Sequence, residues 1–208
     1  MRREELSEHF HPLCRPLNFA LSIPAFRDRI KHTKQNGAVC ARKRGMQNME
    51  PLEPVIAARE LLKNVTPLRR DCGRTCGAAC CQSDEDGQGG MLLFPGEEAL
   101  YASLPAGWAI APDDAVTPVG RLLICDGRCD RDMRPLSCRL FPLLPTWTGA
   151  RMDRRAWAVC PLMESGKQGL NPDFVRAVEQ AGRLLYAHPA HAAFLDALHR
   201  YNEQLKKF

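Results

Sequence analysis

Long apolar runs are missing from this chain. Its most apolar stretches, MLLF at 91–94 and RLLIC at 121–125, fall far short of the roughly 18 residues that a membrane-spanning helix needs, so no transmembrane helix and no membrane partner are expected. The N-terminal region offers only LNFALSI as an apolar segment, without the uninterrupted core and small-residue cleavage site of a secretory signal. Phosphate loops are absent too. No G-x-G-x-x-G joins a strand to a helix and there is no P-loop, which removes the dinucleotide and nucleotide-triphosphate readings. The serines, histidines and aspartates form no nucleophile elbow. SDEDGQGG, residues 83–90, lacks the distal glutamate of a calcium loop and reads as a polar turn. No internal repeat of useful length is visible.

What the chain has in quantity is cysteine: ten in 208 residues, with 45% hydrophobic and 25% charged residues overall. That composition is the one expected of a globular chain built around one main domain. With no secretory signal, the cysteines are read in a reducing, cytoplasmic setting, where metal ligation or redox chemistry outranks a disulfide framework.

The formal charge of +5 suggests nucleic acid until its distribution is considered. Residues 1–45 hold ten lysines and arginines against four acids, and residues 46–208 hold nineteen against twenty. The basic character belongs to the leader, which has three prolines between 12 and 24 and no sustained period, so a disordered tail is expected there. No nucleic-acid partner is expected for the remainder. The first well-patterned segment begins just after Met46 and Met49, so translation starting at one of these is a further expectation, and residues 46–208 form the expected domain.

Short elements follow. Pro51 to Asn64 reads as a helix with Val55, Ile56, Leu61 and Leu62 on its apolar side, ending before Thr66-Pro67. Glycines 73 and 77 favour a loop or knuckle over continuous helix through the next cysteines. MLLF, WAIAP and RLLIC read as strands, and PGEEALYASL as a helix whose Glu97 and Glu98 face the positive end of its dipole. RPLSCRLF reads as one or two helical turns, and LPTWT with ARMDRRAWAV as a hairpin around Thr148-Gly149. Asn171 and Pro172 open a helix with Phe174, Val178, Ala181 and Leu185 in register. It stops near His188-Pro189, before a last helix carrying Phe194, Leu198, Tyr201 and Leu205, with Lys206 and Lys207 in its final turn. The fold class is therefore α+β: a small cysteine-rich domain organised by metal, with short strands and two C-terminal helices.

Eight cysteines fall in the patterned region, and CGRTCGAACC puts four of them within residues 72–81. A C-x3-C step lets two thiolates turn toward one ion, and it occurs at 72/76, 76/80 and 125/129. Cys14 and Cys40 read as ordinary buried or tail cysteines. Cys80 and Cys81 cannot serve one ion alike, because successive side chains diverge by about 100° on a helix and oppose each other on a strand. They are expected to take different roles: each in a different metal site, or one a ligand and the other a packing, bridging or reactive thiolate. Arg69, Arg70, Arg74, Arg128, Arg131, Arg134 and Arg139 flank the sulfurs and are candidates to offset thiolate charge. His188 and His191 could complete a metal site, but capping or surface roles are the commoner ones for histidines at a helix boundary. Trp108, Trp147 and Trp157 are read as packing around the metal-bearing core.

CGRTCGAACC, CDGRC, MRPLSCRLFPL and AVCPL together resemble the YkgJ-type cysteine-cluster family, described as a CxxCxxCC putative zinc- or iron-chelating domain. The resemblance covers roughly residues 68–163, and the RP-x-x-CR-x-FP element from Arg134 to Pro142 is its most specific part. The chain sets Gly77, Ala78 and Ala79 before its double cysteine where the family usually has two residues. The resemblance implies Cys72, Cys76, Cys80, Cys81, Cys125, Cys129, Cys138 and Cys160 as ligands to zinc or iron, the latter as an ion or an iron–sulfur cluster. It implies metal binding and leaves catalysis open. Flagellin lysine N-methylase, a relative in the family, implies an alternative reading as an iron-dependent protein-modifying enzyme. A protein partner is not specified.

A chain starting at Met46 is expected to keep the metal content and melting temperature of the full chain, measured by elemental analysis and calorimetry. A large loss of either would show that residues 1–45 pack on the domain.

Overall fold

The structure is a computed structural model that describes residues 50–82, 90–127 and 129–205. The leader with Cys14 and Cys40, most of the SDEDGQGG turn, Arg128 and the Lys206–Lys207 pair lie outside the described residues. Helices and small antiparallel sheets make the described part α+β. No helix among the described residues is long and apolar enough to cross a membrane.

Helix α1 spans Leu52–Leu61. Its buried face is Val55, Ala58 and Leu62, spaced three and four residues apart as one side of a helix requires. Ile56 is 49% exposed and Leu61 37% exposed, which corrects the expected stripe: Ala58 supplies the middle of the face, and the two larger side chains sit beside it. The cysteine segment is also more regular than its glycines suggest. Helix α2 spans Cys72–Cys76, and the Asp71 carboxylate caps it by accepting from Gly73 N at 3.0 Å. The cap fixes the first turn, where Gly73 lies, so the glycine does not prevent helix. Gly77, at φ 64°, and Ala78, at φ 56°, then take left-handed conformations. They end α2 before a 3-10 turn over Ala79–Cys81.

Strands β1 (Met91–Leu92), β2 (Ala109–Pro112) and β3 (Arg121–Ile124) form an antiparallel sheet in the order β1-β3-β2, with Leu92 opposite Leu122 and Ile110 opposite Leu123. Between β1 and β2 the expected helix is a 3-10 turn, Glu97–Tyr101. Glu97 does not face a helix dipole in solvent. Its side chain is fully buried and accepts from Phe94 N at 3.1 Å, Leu136 N at 2.6 Å and Arg59 Nη1 at 3.0 Å. A buried carboxylate is tolerated only when donors replace its lost water, and three do so here.

Helix α3 (Leu136–Leu140) is the short helix expected within RPLSCRLF. Strands β4 (Leu143–Thr146) and β5 (Gly149–Met152) form the expected hairpin, pairing Thr146 with Gly149. The rest of its predicted second arm is a 3-10 turn, Arg154–Ala158, started by the Asp153 side chain accepting from Arg155 N. Helix α4 (Pro172–Tyr186) begins as expected, with Asn171 accepting from Asp173 N at 3.1 Å and Pro172 in the first turn. It buries Phe174, Val178, Ala181 and Leu185, each close to zero exposure, against α1 and the hairpin. Burying a large apolar side chain contributes roughly 1.5–3 kcal/mol, so this stripe anchors the main core. Helix α5 (Pro189–Gln204) buries His191, Phe194, Leu195, Leu198 and Asn202. Tyr201 and Leu205, expected on the buried face, are half-buried at its edge.

His188 caps α5, its Nδ1 accepting from Ala190 N at 3.2 Å, as the capping reading expected. His191 has no exposed surface, and its Nε2–H donates to the Pro51 carbonyl at 2.6 Å.

Leu198 is 2% exposed, so Leu198→Asp should lower stability by several kcal/mol in chemical denaturation, because it buries an unpaired charge. A variant that unfolds with the parent would make α5 peripheral.

Burial moves His191 down from 6.5 to about 4, with the Pro51 hydrogen bond opposing the change and His188 adding to it. Above its ordinary value both folded and unfolded states hold it neutral. As pH falls from about 6.5 toward about 4, the unfolded chain takes up a proton that the folded chain refuses, so stability falls across that window. His191→Gln should flatten this part of a stability-against-pH curve, and an unchanged slope would remove His191 as its source.

Candidate metal-binding site

Every one of the eight cysteines named from the sequence lines one cavity of about 120 Å³. They reach it from separated elements. Cys72 and Cys76 stand one turn apart on α2, where the Cys76 thiol donates to the Cys72 carbonyl at 3.3 Å. Cys80 and Cys81 share the next 3-10 turn. Cys125 follows β3, Cys129 follows the Gly127 turn, Cys138 is the middle residue of α3, and Cys160 precedes the 3-10 turn Pro161–Met163. Gly127 is required where it stands: at φ 74° it faces the Cys81 carbonyl oxygen so closely that a Cβ would collide with it. All eight are free thiols, seven half-buried and Cys80 exposed. The remaining wall is largely apolar and includes Val65, Leu68, Trp108, Leu123, Phe141 and Leu162.

The sulfurs act on one another electrostatically. Burial pushes the Cys138 thiol well above its ordinary value, and the charges of Cys81, Cys129 and Cys125 push it further. Burial likewise raises Cys72, with Cys76, Asp71 and Cys160 adding to the rise, and raises Cys160, with Cys76 adding. The adjacent pair splits. The two sulfurs lie 4.0 Å apart in a hydrogen bond that either thiol can donate, and this contact lowers Cys81 to about 6 and raises Cys80. Cys81 is the natural thiolate of the two because the Arg134 guanidinium also lowers it.

Of the flanking arginines proposed to offset thiolate charge, Arg134 faces the sulfurs. It hydrogen-bonds Cys129, which burial otherwise raises. Burial works against the Arg134 charge, but that hydrogen bond and the charges of Cys129 and Cys81 outweigh it. Its Nε is buried without a hydrogen-bond partner among the described residues. Arg131 and Arg139 have a different task. Arg131 donates to the carbonyls of Lys63 and Val65, and Arg139 donates to those of Arg131 at 2.8 Å, Asp132 at 3.0 Å and Arg134 at 3.0 Å. Both serve the backbone that carries the cysteines. Arg69, Arg70 and Arg74 are exposed.

Sequence reasoning missed Arg59 and read Glu97 as an exposed dipole partner. Besides holding Glu97, Arg59 donates to the carbonyls of Arg134 and Asp132, both at 2.8 Å. Tyr101 OH donates to Met133 O at 3.0 Å. No local pattern marks these residues, because their partners lie some 32 to 75 positions away in sequence. Of the three tryptophans expected to pack around the core, Trp108 alone is buried and lines the cysteine cavity. Trp147 is 65% exposed and contacts Tyr186 edge-on, and Trp157 is half-buried beneath Arg154.

Soft thiols in this number suit zinc, iron or an iron–sulfur core in kind. In the geometry seen, no three Cys, His, Asp or Glu side chains among the described residues stand close enough together to hold one ion. The eight thiols ring a space instead. No family model matches the chain, and no curated protein or solved structure matches it.

Proposed function

We propose that this protein binds metal through its clustered cysteines, as zinc or as an iron or iron–sulfur centre, and that the metal helps organise the α+β domain around it. One observation carries this reading: eight thiols from six separate segments converge on a single cavity. Chance packing of small apolar cysteines gives no reason for such convergence. The resemblance of residues 68–163 to the YkgJ-type cysteine-cluster family points the same way. The chain's own residues supply what a bound cation requires. Cys81 is poised as a thiolate, Arg134 offsets part of the thiolate charge, and the apolar wall limits water around the sulfurs. A metal centre bound here supplies positive charge to thiols that otherwise raise one another's pKa values.

Purification without oxygen, followed by elemental analysis and absorption spectroscopy, tests the proposal. Bound zinc with no visible colour, or iron with charge-transfer absorption, is expected. Thiolate–zinc binding is worth roughly 10–16 kcal/mol in peptide systems, against about 5–15 kcal/mol for a whole domain, so a chelator should lower the melting temperature sharply. Cys72→Ser, Cys76→Ser, Cys129→Ser and Cys138→Ser should each reduce bound metal. Protein that carries no metal, takes none up under reducing conditions and melts identically with chelator would end this reading.

A further inference from the structure

Successive side chains on a regular helix or strand point apart, yet the sulfurs of Cys80 and Cys81 lie 4.0 Å from each other on the 3-10 turn Ala79–Cys81. Theirs is the only sulfur–sulfur hydrogen bond among the described residues. The turn is held by backbone contacts that involve neither sulfur. Ala78 opens it in the left-handed conformation, Cys81 N donates to Ala78 O at 2.8 Å, and the Gln82 side chain donates to Gly77 O at 3.2 Å. From the other side the Cys81 carbonyl oxygen is seated against Gly127, where a side chain has no room. The two thiols differ in access. Cys80 is exposed, whereas Cys81 is half-buried, and both line the cavity. A reagent arriving from solvent therefore meets Cys80 first and finds a second sulfur directly behind it, which is the arrangement of a reactive cysteine beside a resolving one.

We infer that Cys80 is a site of oxidation by low-molecular-weight disulfides, and that Cys81 resolves the product into a disulfide between the two neighbours. The step needs no bound metal and goes beyond the metal-binding reading. Where that reading holds, the step withdraws two of the eight sulfurs from the cavity. Either thiol can donate the hydrogen bond between them, so the proton of the pair can stand on Cys81 while Cys80 reacts. The Cys80 thiolate attacks one sulfur of a disulfide RSSR. The RS–SR bond breaks, and the departing RS⁻ takes the Cys81 proton to become RSH. The Cys81 thiolate then attacks the Cys80 sulfur, the Cys80–SR bond breaks as the Cys80–Cys81 bond forms, and a second RS⁻ leaves. Two electrons pass from the thiol pair to RSSR. Neighbouring Cα atoms are about 3.8 Å apart across a trans peptide, closer than the roughly 4.4–6.8 Å of ordinary disulfides, so the new bond is strained and excess thiol returns it to the reduced pair.

Oxidised glutathione is the probe. The full chain carries Cys14→Ser and Cys40→Ser, so that only the eight cavity cysteines report. It is purified without oxygen, desalted, incubated with oxidised glutathione, quenched in acid, alkylated and weighed intact. The expected result is a loss of two of the eight thiols with no glutathione attached, reversed by excess reduced glutathione. Adding Cys81→Ser should instead trap one glutathione on Cys80, and adding Cys80→Ser should leave no internal disulfide. Cys76→Ser should still lose two thiols. A parent that keeps all eight thiols, or that only carries attached glutathione, overturns the proposal. So does an internal disulfide in the Cys80→Ser or Cys81→Ser chain, since another pair then forms it. Peptide mapping of the oxidised parent decides the matter even where a variant fails to fold. Cys76 alkylated beside an unalkylated Cys80–Cys81 pair supports the assignment, and an unalkylated Cys76 with either neighbour alkylated refutes it. Metal content is measured separately, so this inference and the metal-binding reading can fail independently.

Discussion

Glu97 is a carboxylate without exposed surface, and the arrangement of the cysteine-bearing segments depends on what it holds. It ties together Phe94 at the end of the β1 segment, Leu136 at the start of α3 and Arg59 on α1. The cost of taking a carboxylate out of water is several kcal/mol, and it is offset only while all three donors stay in place. Any one of these segments moving away leaves an uncompensated charge. Arg59, fixed by Glu97, spends its remaining donors on the carbonyls of Asp132 and Arg134. Arg139 and Tyr101 bind the same short stretch from the other directions. The loop between Cys129 and Cys138 is thus held by side chains that never touch a sulfur.

That rigidity matters because the sulfurs themselves oppose the arrangement. Burial and neighbouring thiolate charge raise the Cys72 and Cys138 thiols on one largely apolar cavity, with Arg134 as the cation that faces the sulfurs. A packed core made only for stability would place leucine or valine at these positions. The scaffold brings the sulfurs close and pins the backbone behind them through hydrogen bonds that do not involve them. A cation reverses the sign of the electrostatics by giving each thiolate an attractive partner. The apolar core formed by α1, α4, α5 and the β4–β5 hairpin stands apart from the cavity in composition, with closely packed leucines and phenylalanines. It can supply folding energy whatever the state of the sulfurs.

Much of this was legible in the chain because the relevant physics is local. Asn171 and Pro172 start α4 where capping chemistry says they should, and the four-residue spacing of Phe174 and Val178 sets its buried face. The hairpin pattern places its turn at Thr148-Gly149, and the turn falls one residue earlier, at Trp147–Thr148, with Gly149 already in β5. The two-role expectation for Cys80 and Cys81 rests on diverging side chains, whereas in the structure the two sulfurs lie 4.0 Å apart, Cys80 exposed and Cys81 half-buried. The errors were local too. Ile56 and Leu61 are large and apolar, yet it is the smaller Ala58 that is fully buried on the α1 face. Gly73 disfavours helix by propensity, but the Asp71 cap two residues before it holds it in the first turn of α2.

The sequence by itself determined the eight cysteines, their ligand-like steps, the α+β class and the two C-terminal helices, since each depends on residues within a few positions of one another. Only the tertiary structure decided that Cys160 joins sulfurs more than eighty positions earlier, that Arg134 alone among the described flanking arginines turns to them, and that Glu97 is buried. Those outcomes depend on which distant segments share one volume. A local pattern can specify how a segment folds, but the partner of a buried charge and the far wall of a cavity are set by packing between segments, where sequence distance carries no information.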